Sequence, residues 1–143
     1  MYYGNIIIRI YRISRAIVSE HKVREVKGDS IEPSDIPDNP TEIILFKTKN
    51  SGLYDAFHED FTYISEDAAK KIASKSVNLV GIDYLSIEKF GIPDPVSHKT
   101  LMRKDIVIVE GLLMSNVQPG TYDFVCLPLN MSEDGAPCRA ILL

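Results

Sequence analysis

His98 and Glu110 are the two residues of this sequence with the most chemistry to offer. His98 follows Pro93-Asp94-Pro95 near the start of a predicted helix; Glu110 ends the apolar run I-V-I-V and precedes Gly111. Asp83 holds the matching position after another apolar run, V-N-L-V-G-I. In an α/β sheet, polar residues at the carboxyl ends of parallel strands line the functional crevice. The three side chains could therefore converge at one rim, where a histidine and carboxylates can bind a divalent metal or exchange protons. Plainer roles stand beside this one: Asp83 as a turn cap, Glu110 as a solvated strand end, His98 as a helix N-terminal residue.

The other candidates are weaker. His58-Glu59-Asp60 puts three ligand types side by side, but adjacent loop side chains diverge, so a solvated loop is expected. His21, between Glu20 and Lys22, is read as part of a turn. Tyr2, Tyr3 and Tyr11 read as packing or interface residues. Cys126, inside F-V-C-L-P, reads as a buried small hydrophobe. Cys126 and Cys138 lack metal-knuckle spacing, and a disulfide between them is left open. The sequence holds no Walker loop, GxGxxG, GxSxG or HExxH pattern.

The elements that must position these residues follow from patterning. Residues 5–13, rich in Ile and Tyr, read as a strand that residues 15–18 extend past a bend; residues 23–27 alternate as a half-buried strand does. Residues 30–35 read as a short helical turn that Pro37 and Pro40 keep from growing. Residues 42–47 (E-I-I-L-F-K), 77–82 and 106–109 are short apolar runs of the kind that form buried central strands. Between the first two lies the clearest helix, with Ser65 as N-cap, Glu66 and Asp67 in its first turn and Ala68, Ala69, Ile72 and Ala73 at helical spacing. A second helix is expected over 96–104, and further strands over 122–127 and 139–142. Strand, helix, strand at these lengths makes a parallel crossover the default. The fold class is α/β with a mixed sheet and few helices, strands covering one of its faces.

Composition bounds the rest. With 143 residues, 45% of them hydrophobic and 25% charged, one domain over residues 1–143 is expected, with no need of disulfide staples. Sixteen basic against twenty acidic residues give a net charge of −4, which argues against a nucleic-acid partner. No apolar run is long enough to span a bilayer, and Arg9 and Arg12 interrupt the apolar start, so neither a membrane anchor nor a signal peptide is read there. A cytoplasmic protein with reduced thiols is expected.

The order of the segments resembles the cyclase family, which includes bacterial kynurenine formamidases and isatin hydrolases. The resemblance rests on G-I-D-Y-L-S from Gly81, on S-H-K-T-L-M and I-V-I-V-E-G-L carrying His98 and Glu110, on G-T-Y-D-F-V-C-L-P-L, and on D-G-A-P-C-R ending at Arg139. It covers residues 16–143, with S-I-E-P-S-D-I, E-I-I-L-F-K-T and Y-I-S-E-D-A-A-K-K-I also in order.

The resemblance implies a metal-dependent hydrolase of small-molecule amide bonds, in a swivelling β/β/α-type fold that commonly dimerises. Zinc or manganese would activate water, Glu110 would be a metal ligand, and His98 a ligand or proton shuttle. Asp83, Ser86 and Arg139 would be supporting residues. The family's N-terminal H-x-G-T-H-x-D-x-P-x-H motif has no counterpart here; the first fifteen residues hold no His, Asp or Glu. The sequence therefore reads as a family member with its front end missing or replaced, with an incomplete metal site. Two functions follow: a small-molecule amide hydrolase, or a non-catalytic or truncated relative that binds a small molecule or a protein partner. Apolar surface left by the missing segment predicts a dimer or higher oligomer.

Overall fold

The computed structural model describes residues 17–131 and 133–143, with side chains from residue 22 onward. The strand expected over 5–13, the tyrosines at 2, 3 and 11, and the His21 side chain lie outside what is described.

Among the described residues, eight strands and two α-helices follow one another as β1 (Ile17–Glu25), β2 (Ser30–Ile31), β3 (Ile43–Lys47), β4 (Tyr63–Ile64), α1 (Glu66–Ala73), β5 (Leu79–Ile82), α2 (Val96–Met102), β6 (Val107–Val109), β7 (Gly120–Pro128) and β8 (Cys138–Leu142). Short 3-10 turns occupy Pro33–Asp35 and Lys49–Gly52. Six strands form one sheet in the order β6-β5-β3-β1-β7-β8; β2 and β4 form a separate parallel pair. Pairing is parallel from β6 through β5 and β3 to β1 and antiparallel from β1 through β7 to β8. The architecture is thus the mixed α/β fold, with a curled mixed sheet and few helices, that the sequence patterning and the resemblance imply.

His21 corrects the reading of that segment. It sits within β1, opposite Tyr122 of β7, so the two short strands expected around a turn are one strand. The polar triplet Glu20-His21-Lys22 continues the strand rather than breaking it.

The sheet separates two apolar clusters, as alternation along its strands requires. Ile44 and Phe46 of β3, with Val80 and Ile82 of β5, pack with Ala68, Ala69 and Ile72 of α1 and Leu101 of α2. Ile43 and Leu45, with Leu79, Val107 and Val109, pack on the opposite face with Leu112, Met114 and Val117, and with Phe124, Cys126 and Cys138 from β7 and β8. The crossovers β3-α1-β5 and β5-α2-β6 step in the same direction across the sheet, which sends both helices to one face. Strands and the segment after β6 cover the other.

Helix α1 starts where the sequence says it should. The Ser65 hydroxyl accepts the Ala68 amide at 3.2 Å and donates to Glu32 at 3.1 Å, so the cap also fastens the helix to the preceding loop. The burial of Ala68, Ala69 and Ile72 supplies its packing face.

Candidate active site

Because β3, β5 and β6 run parallel and in register, their carboxyl ends deliver Thr48, Asp83 and Glu110 to one rim of the sheet. The backbone ties this rim together: the Gly111 amide donates to the Tyr84 carbonyl at 2.6 Å and the Leu112 amide to the Ile82 carbonyl at 3.1 Å. Gly111 has φ of 74°, in the left-handed region where a side chain is strained, which lets the chain turn sharply just after Glu110.

Helix α2 brings His98 to that rim. Its Nε2 lies 3.0 Å from Glu110 Oε1, and its Nδ1 lies 3.2 Å from Glu88 Oε2. The ring thus bridges two carboxylates, and the three side chains are only 14%, 5% and 9% exposed. Burial alone would lower the His98 pKa; hydrogen bonding and charge from Glu110, and then from Glu88, outweigh it and raise the pKa above the ordinary value. A ring that donates from both nitrogens is an imidazolium, which is the state two flanking carboxylates select.

Each carboxylate is itself held. Glu110 Oε1 also accepts the Ile87 amide at 2.8 Å. Glu88 accepts the amides of Ser97 (3.4 Å) and His98 (3.1 Å) at the start of α2. That helix begins after Pro95, whose side chain cannot cap it, so Glu88 satisfies amides that would otherwise lack an acceptor. Sequence reasoning missed Glu88. The capless helix start signalled that an acceptor was needed, but only the fold identifies which residue supplies it.

Asp83 serves a different network. It is fully buried and accepts from the Thr48 amide (2.7 Å), the Thr48 hydroxyl (2.8 Å) and the Ser51 hydroxyl (2.5 Å). Burial raises its pKa despite those three donors. The network continues through Asn50, whose side-chain amide exchanges two hydrogen bonds with the backbone of Thr62. Thr48, Asn50 and Ser51 were likewise not singled out from sequence. Asp83 thus faces the turn after β3, while His98 and Glu110 face each other.

The remaining candidates lie apart from that pair. The Ser86 hydroxyl accepts the Glu88 amide at 3.0 Å and so shapes the loop that presents Glu88. Arg139 is exposed on β8, at the opposite edge of the sheet from β6. His58 is held through its backbone by Tyr84, and its ring reaches Asp55 at 3.3 Å, while Glu59 and Asp60 are exposed.

The described residues do not form a complete divalent-metal centre on their own. No group of three His, Cys, Asp or Glu side chains among them is arranged to hold an ion. Both ring nitrogens of His98 are engaged by carboxylates rather than directed with Glu110 at a common point. A catalytic zinc takes roughly three protein ligands.

Comparison with known proteins gives this geometry a context. No family model matches the chain. Cyclase-like protein 3 of Oryza sativa subsp. japonica is 38% identical over 107 residues, covering 70% of this chain and 39% of the relative. Kynurenine formamidase of Bordetella avium (strain 197N) is 32% identical over 106 residues, covering 73% of this chain and 51% of the relative. A solved structure described as a potential metal-dependent hydrolase with cyclase activity superposes with a TM-score of 0.80 at 39% identity, covering 87% of this chain and 64% of that one. The matched part thus spans about two fifths to one half of these curated relatives. By sequence and by fold together, the chain is similar over most of its length to proteins described as kynurenine formamidase, cyclase-like protein and potential metal-dependent hydrolase with cyclase activity.

Proposed function

We propose that the chain carries the proton-transfer residues of an amide hydrolase acting on small aryl formamides, with N-formylkynurenine as the substrate to test. One observation carries the reading: the largely buried ring of His98, held between Glu110 and Glu88 at the carboxyl rim of the sheet, where the two carboxylates favour its charged form. Amide hydrolysis needs a proton at the departing nitrogen, because an amine anion is too poor a leaving group. His98 donates that proton and becomes neutral. As the C–N bond breaks and formic acid is released, the ring takes back a proton from the oxygen that the water added, so the cycle closes with the ring charged again. Glu110 and Glu88 fix the plane of the ring and favour its charged form, which makes them positioning residues for His98.

The relatives' description as metal-dependent supports a divalent ion, zinc or manganese, as the activator of that water. Glu110 is the carboxylate this chain would offer it, and the other ligands would have to come from groups beyond the described residues. Proton transfer through His98 is the part of the chemistry that these residues carry themselves.

The test is release of kynurenine from N-formylkynurenine by the purified protein, with and without added zinc or manganese. Turnover is expected to fall by about 100-fold or more in Glu110→Ala and His98→Gln. A wild-type protein that binds the substrate but shows no turnover with either metal refutes the hydrolase reading in favour of a binding module.

The same reading takes the protein as a cytoplasmic homo-oligomer. Phe57 and Phe90 pack edge to face at 5.2 Å, yet both are exposed, as are Leu85 and Ile92 on the same loops. Apolar surface of this kind supports self-association. Light scattering at micromolar concentration should give at least the mass of a dimer.

A further inference from the structure

The two cysteines meet inside the β7–β8 hairpin. Cys126 and Cys138 are free thiols whose sulfurs lie 3.2 Å apart, with Cys126 fully buried and Cys138 9% exposed. They are diagonal neighbours: Cys126 is opposite Ala140, and Cys138 is opposite Pro128. Such diagonal side chains are within reach of each other across an antiparallel ladder. We propose that this pair is a reversible oxidation site that closes to an intrachain disulfide by exchange with a small-molecule disulfide.

Three features support it. The sulfurs need to approach by only about 1.2 Å to reach the bonded distance of about 2.05 Å, a change that side-chain rotation can supply. Cys138 pairs at the loop end of the ladder, opposite a proline that has no amide to donate, so its own carbonyl accepts no ladder bond from that residue. Beyond it the connecting loop is held by the bond from the Leu129 amide to the Pro137 carbonyl, with Leu129 and Met131 exposed. Cys138 is the more accessible of the two, 9% exposed against none for Cys126, so it is the thiol that a small disulfide reaches first, and the hydrogen bond donated by Cys126 favours its thiolate.

The chemistry balances without a metal. The Cys138 thiolate attacks one sulfur of the small disulfide, forming a mixed disulfide and expelling one thiolate. Cys126 then gives its proton to that thiolate and attacks the Cys138 sulfur, expelling the second. The protein dithiol loses two electrons and two hydrogens, and the small disulfide becomes two thiols.

The experiment uses the whole protein with oxidised glutathione, followed by alkylation in denaturant and mass spectrometry. The expected product is monomeric, about 2 Da lighter than the reduced chain, resistant to alkylation and linked between the peptides containing residues 126 and 138. Cys126→Ser should instead accumulate glutathione on Cys138, and Cys138→Ser should react at least about tenfold more slowly. If both thiols of the folded wild type remain alkylatable while the urea-unfolded chain is oxidised by the same reagent, the proposal fails. Oxidation only to disulfide-linked dimers overturns it equally.

Discussion

Replacing His98 with alanine should be among the most damaging single changes in this protein, and its cost should depend on pH in a defined direction. The ring donates to two carboxylates at 3.0 and 3.2 Å, and all three side chains are largely withdrawn from water. Each charge-assisted hydrogen bond contributes about 1.5–3 kcal/mol net. Removing the shared partner also leaves two carboxylates facing one another, so a total loss of about 3–5 kcal/mol is expected. With a urea slope of about 2 kcal/mol per molar, the unfolding midpoint at pH 6 should drop by about 1.5–2.5 M.

The sign with pH follows from the raised pKa of His98. Its contribution is fully present below the unfolded value of about 6.5 and is lost as pH rises through the higher folded value. The gap between wild type and His98→Ala should therefore be widest near pH 6 and narrow towards about pH 9.5. Glutamine at this position can donate to one carboxylate but carries no charge, so its cost should be smaller and should narrow with rising pH in the same way, because it is the wild type that loses the charged ring. A gap below about 1 kcal/mol, or one equal at both pH values, would refute an imidazolium held by two carboxylates.

Three further outcomes are expected from equilibrium unfolding. Asp83→Ala strands the Thr48 amide and two hydroxyls in a dry interior and should cost about 2–4 kcal/mol, whereas Asp83→Asn, which keeps one acceptor oxygen, should cost less. Ser65→Ala removes the N-cap of α1 and its tie to Glu32, and should cost about 1 kcal/mol, with Ser65→Thr near neutral. A methyl group at Gly81 would come within 2.6 Å of Leu45 and 2.7 Å of Leu112, so Gly81→Ala should destabilise by about 1–3 kcal/mol.

What could be read in advance was whatever local pattern determines. Ser65, the acidic first turn and the alanine-rich face announced α1, and the short apolar runs announced β3, β5 and β6. The arrival of Asp83 and Glu110 at one rim followed from a topological rule, that parallel strands present their carboxyl ends together, while His98 reaches Glu110 from α2. What stayed hidden depends on partners distant in sequence. Glu88 gains its role only when the loop after β5 folds over the first turn of α2. The two-residue strands β2 and β4 exist only because their segments are brought side by side. His21 misled because a run of charged and polar residues looks the same in a turn and in a strand.

β1 joins the two halves of the sheet, parallel to β3 on one side and antiparallel to β7 on the other. Its first partnership is with nearby sequence, but Ile17 is paired with Cys126, more than 100 residues later. During synthesis, the edge of β1 that β7 covers therefore waits until residues 120–128 have emerged, with its backbone donors and acceptors available to other strands. Such distant pairing is slow to form, so the window for mispairing in the nascent protein closes only when the last hairpin docks.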